Sequence, residues 1–279
     1  PPTKKPYTGP PLIVFASNRG GNPQATELYL IDPQSGEITP LNTGVETAVL
    51  PSWSPDGSTI AFAQALKWHI YTVSADGSDL FQVTDFSSNN PDWAPDGSRL
   101  VFQSDARNEP KDTPDIYLID PNGENLTEIL DDPEPADFSP RWSPDGSRIL
   151  FVSNRNGPYS IFLMDPDGAN IEEVIPGGKS PVTYGAWSPD GERIAFVYGS
   201  GSRAEIYIVD KNGDPDTAVR LTKDDFQDSH PSWSPDGSQL VFASNRSGNW
   251  DLWLINADGS DLRQLTDDEY YDGDPDWGP

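Results

Sequence analysis

The chain has 279 residues with 45 acidic and 18 basic side chains, a formal net charge of −27, no cysteine, two histidines and one methionine. That charge repels phosphate backbones and anionic lipid, which argues against nucleic acid and bare membrane as partners; the missing thiols exclude disulfides, thiolate metal sites and cysteine nucleophiles. Nine Trp, ten Tyr and eleven Phe supply much of the burial that a hydrophobic content of only 34% leaves short.

The chain opens on a proline-rich stretch, residues 1–11, which reads as the remnant of a stiff linker ahead of one folded domain spanning 12–279. With no initiating Met and no apolar leader it has the look of a mature or trimmed product. Strand-sized runs follow at Leu12–Ser17, Glu27–Asp32 and Ile38–Leu41, and no apolar run is long enough to cross a bilayer. Then a motif begins to repeat. Trp53-Ser54-Pro55-Asp56-Gly57 returns at Trp93, there with Ala94 in place of the serine, and at Trp142, Trp187 and Trp233, and a sixth, truncated copy closes the chain at Trp277. Successive Trp residues lie 40, 49, 45, 46 and 44 positions apart. Nine residues after each complete motif comes an aromatic in an alternating run: Phe62, Phe102, Phe151, Phe196 and Phe242. A third run follows, as in Asp115–Asp120 and Ser160–Asp165, then a Gly-bearing turn and a short fourth run such as Leu126–Leu130. Each unit therefore predicts a four-stranded antiparallel meander, with Pro-Asp-Gly, Asn-Gly and Asp-Gly supplying the positive φ of the reversals.

A lone sheet of this size leaves both faces wet, so the units must stack, and a closed ring solves the problem. The termini supply a check. The front of the chain has three strands without a Trp strand, and the back has a Trp strand without the other three. Joined, they make a sixth blade. The predicted fold class is all-β, a six-bladed propeller sealed by one C-terminal and three N-terminal strands, with the six Trp side chains wedged between blades.

If the Trp strand is innermost and runs from top to bottom, the Pro-Asp-Gly turns lie below. Their acids (Asp56, Asp96, Asp145, Asp190, Asp236) then serve the turns. The loops after strands two and four lie above and include 86–92, 103–114, 131–141, 177–186, 223–232 and 267–276. They differ between blades, as recognition loops on a rigid scaffold do. One internal correlation stands out. Asp137, Asp228 and Asp272 each precede a motif Trp by five residues, and the same three blades carry Ser-Asn-Arg after strand two, giving Arg155, Arg246 and Arg19. Each Asp is expected to hold its blade's Arg or Asn by a charge-assisted bond.

The remaining upper-mouth residues form the candidate binding set for a protein or peptide: Asn89, Asn90, Asp92, Phe138, Arg141, Tyr184, His230, Tyr270, Tyr271, Asp274 and Asp276. Asp272, Asp274 and Asp276 alternate, so an extended segment would project them to one side, where oxygens could hold Ca²⁺. No catalytic residue is assigned: His230 has serines nearby, but no nucleophile on a rigid turn and no oxyanion hole are visible. Trp253 takes the aromatic position of strand three, whereas Trp250 is extra, a loop cap or a surface anchor.

The Trp-Ser-Pro-Asp-Gly core, the Ser-Asn-Arg after strand two and the Ala-Asp-Gly-Ser or Pro-Asn-Gly turn after strand three resemble the WD40-like (PD40) repeats of TolB-type six-bladed propellers. The resemblance covers residues 12–277. It implies a protein-docking module of bacterial envelope systems, periplasmic or extracellular. No cofactor is expected beyond the Ca²⁺ that the channel mouth could hold. In other members of the family the propeller gates a serine-peptidase domain, but no Gly-x-Ser-x-Gly elbow occurs here. The expectation is a monomeric, non-catalytic binding propeller. The alternative is a carbohydrate- or calcium-binding propeller with weak hydrolase activity.

Overall fold

Alternating apolar residues punctuated by turn-forming glycines fold here into six four-stranded antiparallel sheets. The computed structural model describes residues 7–105, 113–130 and 135–279. Parts of the predicted top-face loops 103–114 and 131–141, and residues 1–6 of the proline-rich start, lie outside the described residues. The innermost strands of blades 1 to 6 are Ala48–Trp53, Asn89–Trp93, Asp137–Trp142, Val182–Trp187, Asp228–Trp233 and Asp272–Trp277. Blade 6 closes the ring as expected. Its inner strand Asp272–Trp277 pairs with Ile13–Ser17, which continues to Glu27–Ile31 and Ile38–Leu41. The fourth strand of blade 6 is Ile38–Leu41 as expected, whereas that of blade 2 is shorter than predicted, Thr127–Glu128 against the expected Leu126–Leu130. In blade 2 it is an exposed sheet edge, and a two-residue edge offers little for another chain to pair with.

Two aromatic layers explain the spacing of the repeat. In every blade the strand-two Phe stands opposite the strand-three aromatic: Phe15 with Tyr29, Phe62 with Tyr71, Phe102 with Tyr117, Phe151 with Phe162, Phe196 with Tyr207 and Phe242 with Trp253. Trp253 is thus a core residue, and Trp250 packs partly buried against the blade 5–6 core. Each motif Trp packs against strands of the preceding blade, Trp53 on Val14 and Leu28, Trp233 on Ala195 and Ile206. The indoles of Trp93 and Trp233 also donate back to the carbonyls of Ser52 and Ala186, both at 3.2 Å. The turn acids behave as turn acids. Asp145 accepts from Ser143 Oγ at 2.7 Å and Ser147 N at 3.0 Å, and these bonds hold its carboxyl at about 2.

The Asp–Arg expectation is met in all three blades. Arg155 donates to Asp137 Oδ2 at 2.8 Å, Arg246 to Asp228 Oδ1 at 2.8 Å, and Arg19 to both oxygens of Asp272 at 2.8 and 2.7 Å. The neighbouring asparagines tie the same corner, with Asn154, Asn245 and Asn18 Oδ1 accepting backbone N–H groups at 2.9, 2.9 and 2.8 Å. Each guanidinium also lies over its blade's aromatic pair, Arg246 at 5.3 Å from the Phe242 ring and 5.0 Å from Trp253. A desolvated cation over two rings, held by a buried carboxylate, gains from both contacts.

Candidate functional site: the upper channel

The inner strands contain a device that the period-two reading missed. Three residues before each motif Trp the backbone enters the left-handed region: Leu50 (φ 52°), Asn90 (52°), Ser139 (52°), Tyr184 (52°), His230 (49°) and Asp274 (50°). Each is followed by Pro, except Tyr184, which is followed by Gly185. Register with strand two shifts at this point in every blade. These are β-bulges, and a bulge re-aims side chains and bends its strand. Proline is tolerated because the channel-facing edge has no ladder partner for its missing N–H. A left-handed non-glycine residue costs roughly 1–2 kcal/mol, a strain the surrounding ring must hold.

The bulges decide what faces the axis. The channel encloses about 510 Å³. Its upper ring comprises Leu50, Ser139, Tyr184, His230 and Asp274, and the next ring comprises Ser52, Asp92, Arg141, Ala186, Ser232 and Asp276. Below these come the six motif Trp residues and a collar of prolines, Pro55, Pro95, Pro144, Pro189, Pro235 and Pro279. The channel is therefore polar above and apolar below. Of the predicted binding set, Asp92, Arg141, Tyr184, His230, Asp274 and Asp276 line it together. The rest lie elsewhere: Asn90 Nδ2 donates to Asn89 Oδ1 (3.1 Å) and Gln103 Oε1 (3.0 Å), and Phe138 packs edge-on to Tyr159 at 5.0 Å. Tyr270 lies under the Arg19 guanidinium, 5.8 Å from Cζ to the ring; Tyr271 N donates to Asn18 Oδ1, while its buried phenol, outside the channel lining, feels the Asp274 and Tyr184 side chains of the mouth. Apart from Tyr270 and Tyr271, the candidates sit on inner strands and not in the loops where they were expected.

Asp272 is not brought together with Asp274 and Asp276. The bulge breaks their alternation, and Asp272 is fully buried against Arg19. The other two already serve the ring. Asp274 Oδ2 accepts from Leu50 N at 3.2 Å, and Asp276 Oδ2 accepts from Trp53 N at 2.8 Å, both across the closure into blade 1. Asp92 repeats the pattern, accepting from Trp142 N at 2.7 Å.

At the mouth, the Tyr184 and His230 rings lie 4.0 Å apart, and His230 Nε2 is 3.5 Å from Asp274 Oδ1. Burial lowers the His230 pKa, with Asp274 opposing and Arg141 reinforcing, so the imidazole is neutral at pH 7. Burial raises Tyr184 and Asp92. Arg141 donates to the carbonyl of Pro140 at 2.8 Å and, among the described residues, forms no ion pair. No serine hydroxyl is hydrogen-bonded to His230 among the described residues; Ser232 Oγ donates to Asp276 at 3.2 Å and accepts from Trp277 N at 3.0 Å. The arrangement gathers aromatic, imidazole, carboxylate and guanidinium groups in one channel.

Asp276 carries a pH signature. Burial pushes its carboxyl up to about 6, with the Trp53 N–H opposing and Asp92 adding to the rise. The folded chain then binds this proton more tightly than the unfolded one, so stability from this group is present at low pH and lost as pH rises toward 6 and above. Asp276→Asn keeps an acceptor for Trp53 N. Its thermal midpoint is expected to exceed the wild type's at pH 7.5, with the gap narrowing or vanishing at pH 4.5; a gap independent of pH would contradict this.

The sequence profile of the TolB β-propeller domain (PD40) matches residues 82–185 and 182–279. TolB from Acinetobacter baumannii superposes with a TM-score of 0.80 at 24% identity, over 96% of this chain and 67% of that protein. A protein of Agrobacterium tumefaciens described as a TolB gives 0.73 at 20% identity, over 97% of this chain and 100% of the other. A puromycin-hydrolyzing peptidase of Mycobacterium tuberculosis gives 0.61 at 15% identity, over 86% of this chain and 42% of the peptidase. A search of curated protein sequences finds no match.

Proposed function

The chain belongs to the TolB β-propeller family, and from that premise we propose that it is a non-catalytic binding propeller whose upper channel takes an extended peptide segment of a protein partner, outside the cytoplasm. The observation that carries the reading is the mouth itself. A tyrosine, a neutral imidazole and a carboxylate stand beside an arginine that forms no salt bridge among the described residues, although the Asp92 and Asp276 carboxylates feel its charge. A peptide supplies matching features: side chains to stack on Tyr184, a donor for Asp274, and a carbonyl or carboxylate for Arg141. The non-catalytic part of the proposal is supported by Ser232, whose hydroxyl is spent on Asp276 and on Trp277 N.

The test uses random peptides selected on the full chain and measured by calorimetry. Tyr184→Ala with His230→Ala is expected to weaken the selected peptides by roughly 1000-fold, since two stacked anchors at about 2 kcal/mol each sum to about 4 kcal/mol. The peptides are expected to stay intact on long incubation. Binding undiminished in the double variant, or cleavage of the peptide, would overturn the proposal.

A further inference from the structure

We propose that the groove between blades 1 and 2 on the lower face is a second docking site, which takes an arginine side chain from a basic segment of a protein partner. It lies among the Pro-Asp-Gly turns, at the opposite end of the propeller from the channel mouth. The groove encloses about 800 Å³, with Pro55, Phe81, Trp93 and Pro121 in its walls and the exposed acids Asp56, Asp79 and Asp96 beside them.

Another junction of the same molecule shows what fits. The sixth residue after the motif Trp faces the next blade's wedge, and it is arginine in blades 2, 3 and 4: Arg99, Arg148 and Arg193. Arg193 places Cζ 4.6 Å from the Trp233 ring of blade 5 and donates to the carbonyl of Gly237 at 3.1 Å. Blade 1 has the buried Thr59 at this position, far too short to cover the Trp93 ring. The motif glycines register the difference. A Cβ on Gly237 would lie 3.6 Å from Arg193 Nη2, and one on Gly146 or Gly191 would meet Pro95 or Pro144 of the preceding blade at 3.2 or 3.8 Å. At the junction of blades 6 and 1, Tyr7 fills the space, 3.0 Å from a Cβ on Gly57, with its ring centroid 6.3 Å from that of Trp53. Among the described residues nothing lies within 4 Å of a Cβ on Gly97, alone of the five motif glycines. Blades 1 and 2 thus offer the indole and the turn carbonyl that hold Arg193, without an arginine of their own.

The charges complement the same occupant. Asp56 and Asp96 spend Oδ1 on their own turns, accepting from Ser58 N at 3.0 Å and Ser98 N at 2.9 Å, and Asp79 Oδ2 accepts from Ser74 Oγ at 3.3 Å. Ser98 and, more weakly, the charge of Arg99 hold the Asp96 carboxyl below its usual range, while Arg99 itself is paired with Asp120 at 3.7 Å. Among the described residues none of the three acids forms a salt bridge, and no Lys or Arg lines the groove. The corresponding groove between blades 3 and 4 has both Arg148 and Lys211 in its lining. A guanidinium gains from a ring face and from carboxylates together, and its weakly hydrated charge suits a half-apolar wall better than an ammonium does. Phe81, 45% exposed, gives an apolar neighbour of that arginine a surface to pack on.

The probe is a leucine-arginine-leucine peptide capped at both ends, titrated into the full chain by calorimetry at about 0.15 M salt to screen diffuse attraction. One peptide per chain is expected. Citrulline in place of the arginine, which keeps the shape and loses the charge, is expected to weaken uptake roughly tenfold or more. Thr59→Arg, which gives the groove the residue that blade 4 already has, should do the same, and the exposed Asp79→Asn should weaken it about threefold. Tyr184→Ala with His230→Ala should leave it unchanged, which separates this site from the upper channel. No uptake at millimolar peptide would overturn the proposal. So would uptake indifferent to citrulline, uptake that survives both Thr59→Arg and Asp79→Asn, or uptake lost with the two channel-mouth substitutions.

Discussion

Asp228→Ala is expected to destabilise the chain by about 3–5 kcal/mol, the loss typical when one partner of a buried ion pair is removed and the other stays. Arg246 would remain in place with its side chain 6% exposed. It would keep Ser244 Oγ at 2.9 Å and the Phe242 and Trp253 rings, but lose its strongest counter-charge. In a chain of this size the thermal midpoint should fall by about 10 °C. Asp228→Asn retains an acceptor and should cost less. Asp228→Leu with Arg246→Met removes both charges and should recover much of the loss, because the desolvation cost of the pair goes with it. Urea unfolding measures all three. An Asp228→Ala change below 1 kcal/mol would mean that the clamp contributes little.

Deleting residues 272–279 should have a larger effect, leaving no cooperative unfolding transition. The segment pairs Asp272 with Ser17, Gly273 with Ala16, Asp276 with Val14 and Trp277 with Ile13. Its loss strips a strand from the blade, removes the Trp277 wedge from the core shared with blade 5, and leaves Trp53 N and Leu50 N without their acceptors. Arg19 loses Asp272 as well. A circular permutant that places 272–279 directly before Leu12, opened at the surface turn Pro215–Thr217, makes blade 6 contiguous and should restore a single transition. A truncated chain that still melts cooperatively would show that the ring does not depend on closure.

The ring was legible because its instructions are repeated. Five full copies of Trp-x-Pro-Asp-Gly and complementary fragments at the ends fix blade number, strand order and closure. The Asp–Arg clamps were legible for a related reason, since two features that occur in the same three blades are easily tied to one contact. The channel was only partly legible. Strict alternation would send Asp272, Asp274 and Asp276 to one side, but the left-handed residue at Asp274 inserts a bulge and turns Asp272 into the blade junction. The same bulge brings Leu50, Ser139, Ser52 and Ser232 to the axis, residues unremarkable singly. A Pro two before five of the six Trp residues was the available signal, because proline within an inner strand marks either an edge or a bulge.

Photo-crosslinking with a selected peptide tests the functional account most directly, using p-benzoylphenylalanine placed once at Leu50 in the upper ring and once at Pro235 in the lower collar. The account predicts a crosslink from Leu50, abolished by Tyr184→Ala with His230→Ala, and none from Pro235. Capture from Pro235 alone, or capture from Leu50 that ignores the double substitution, would contradict it.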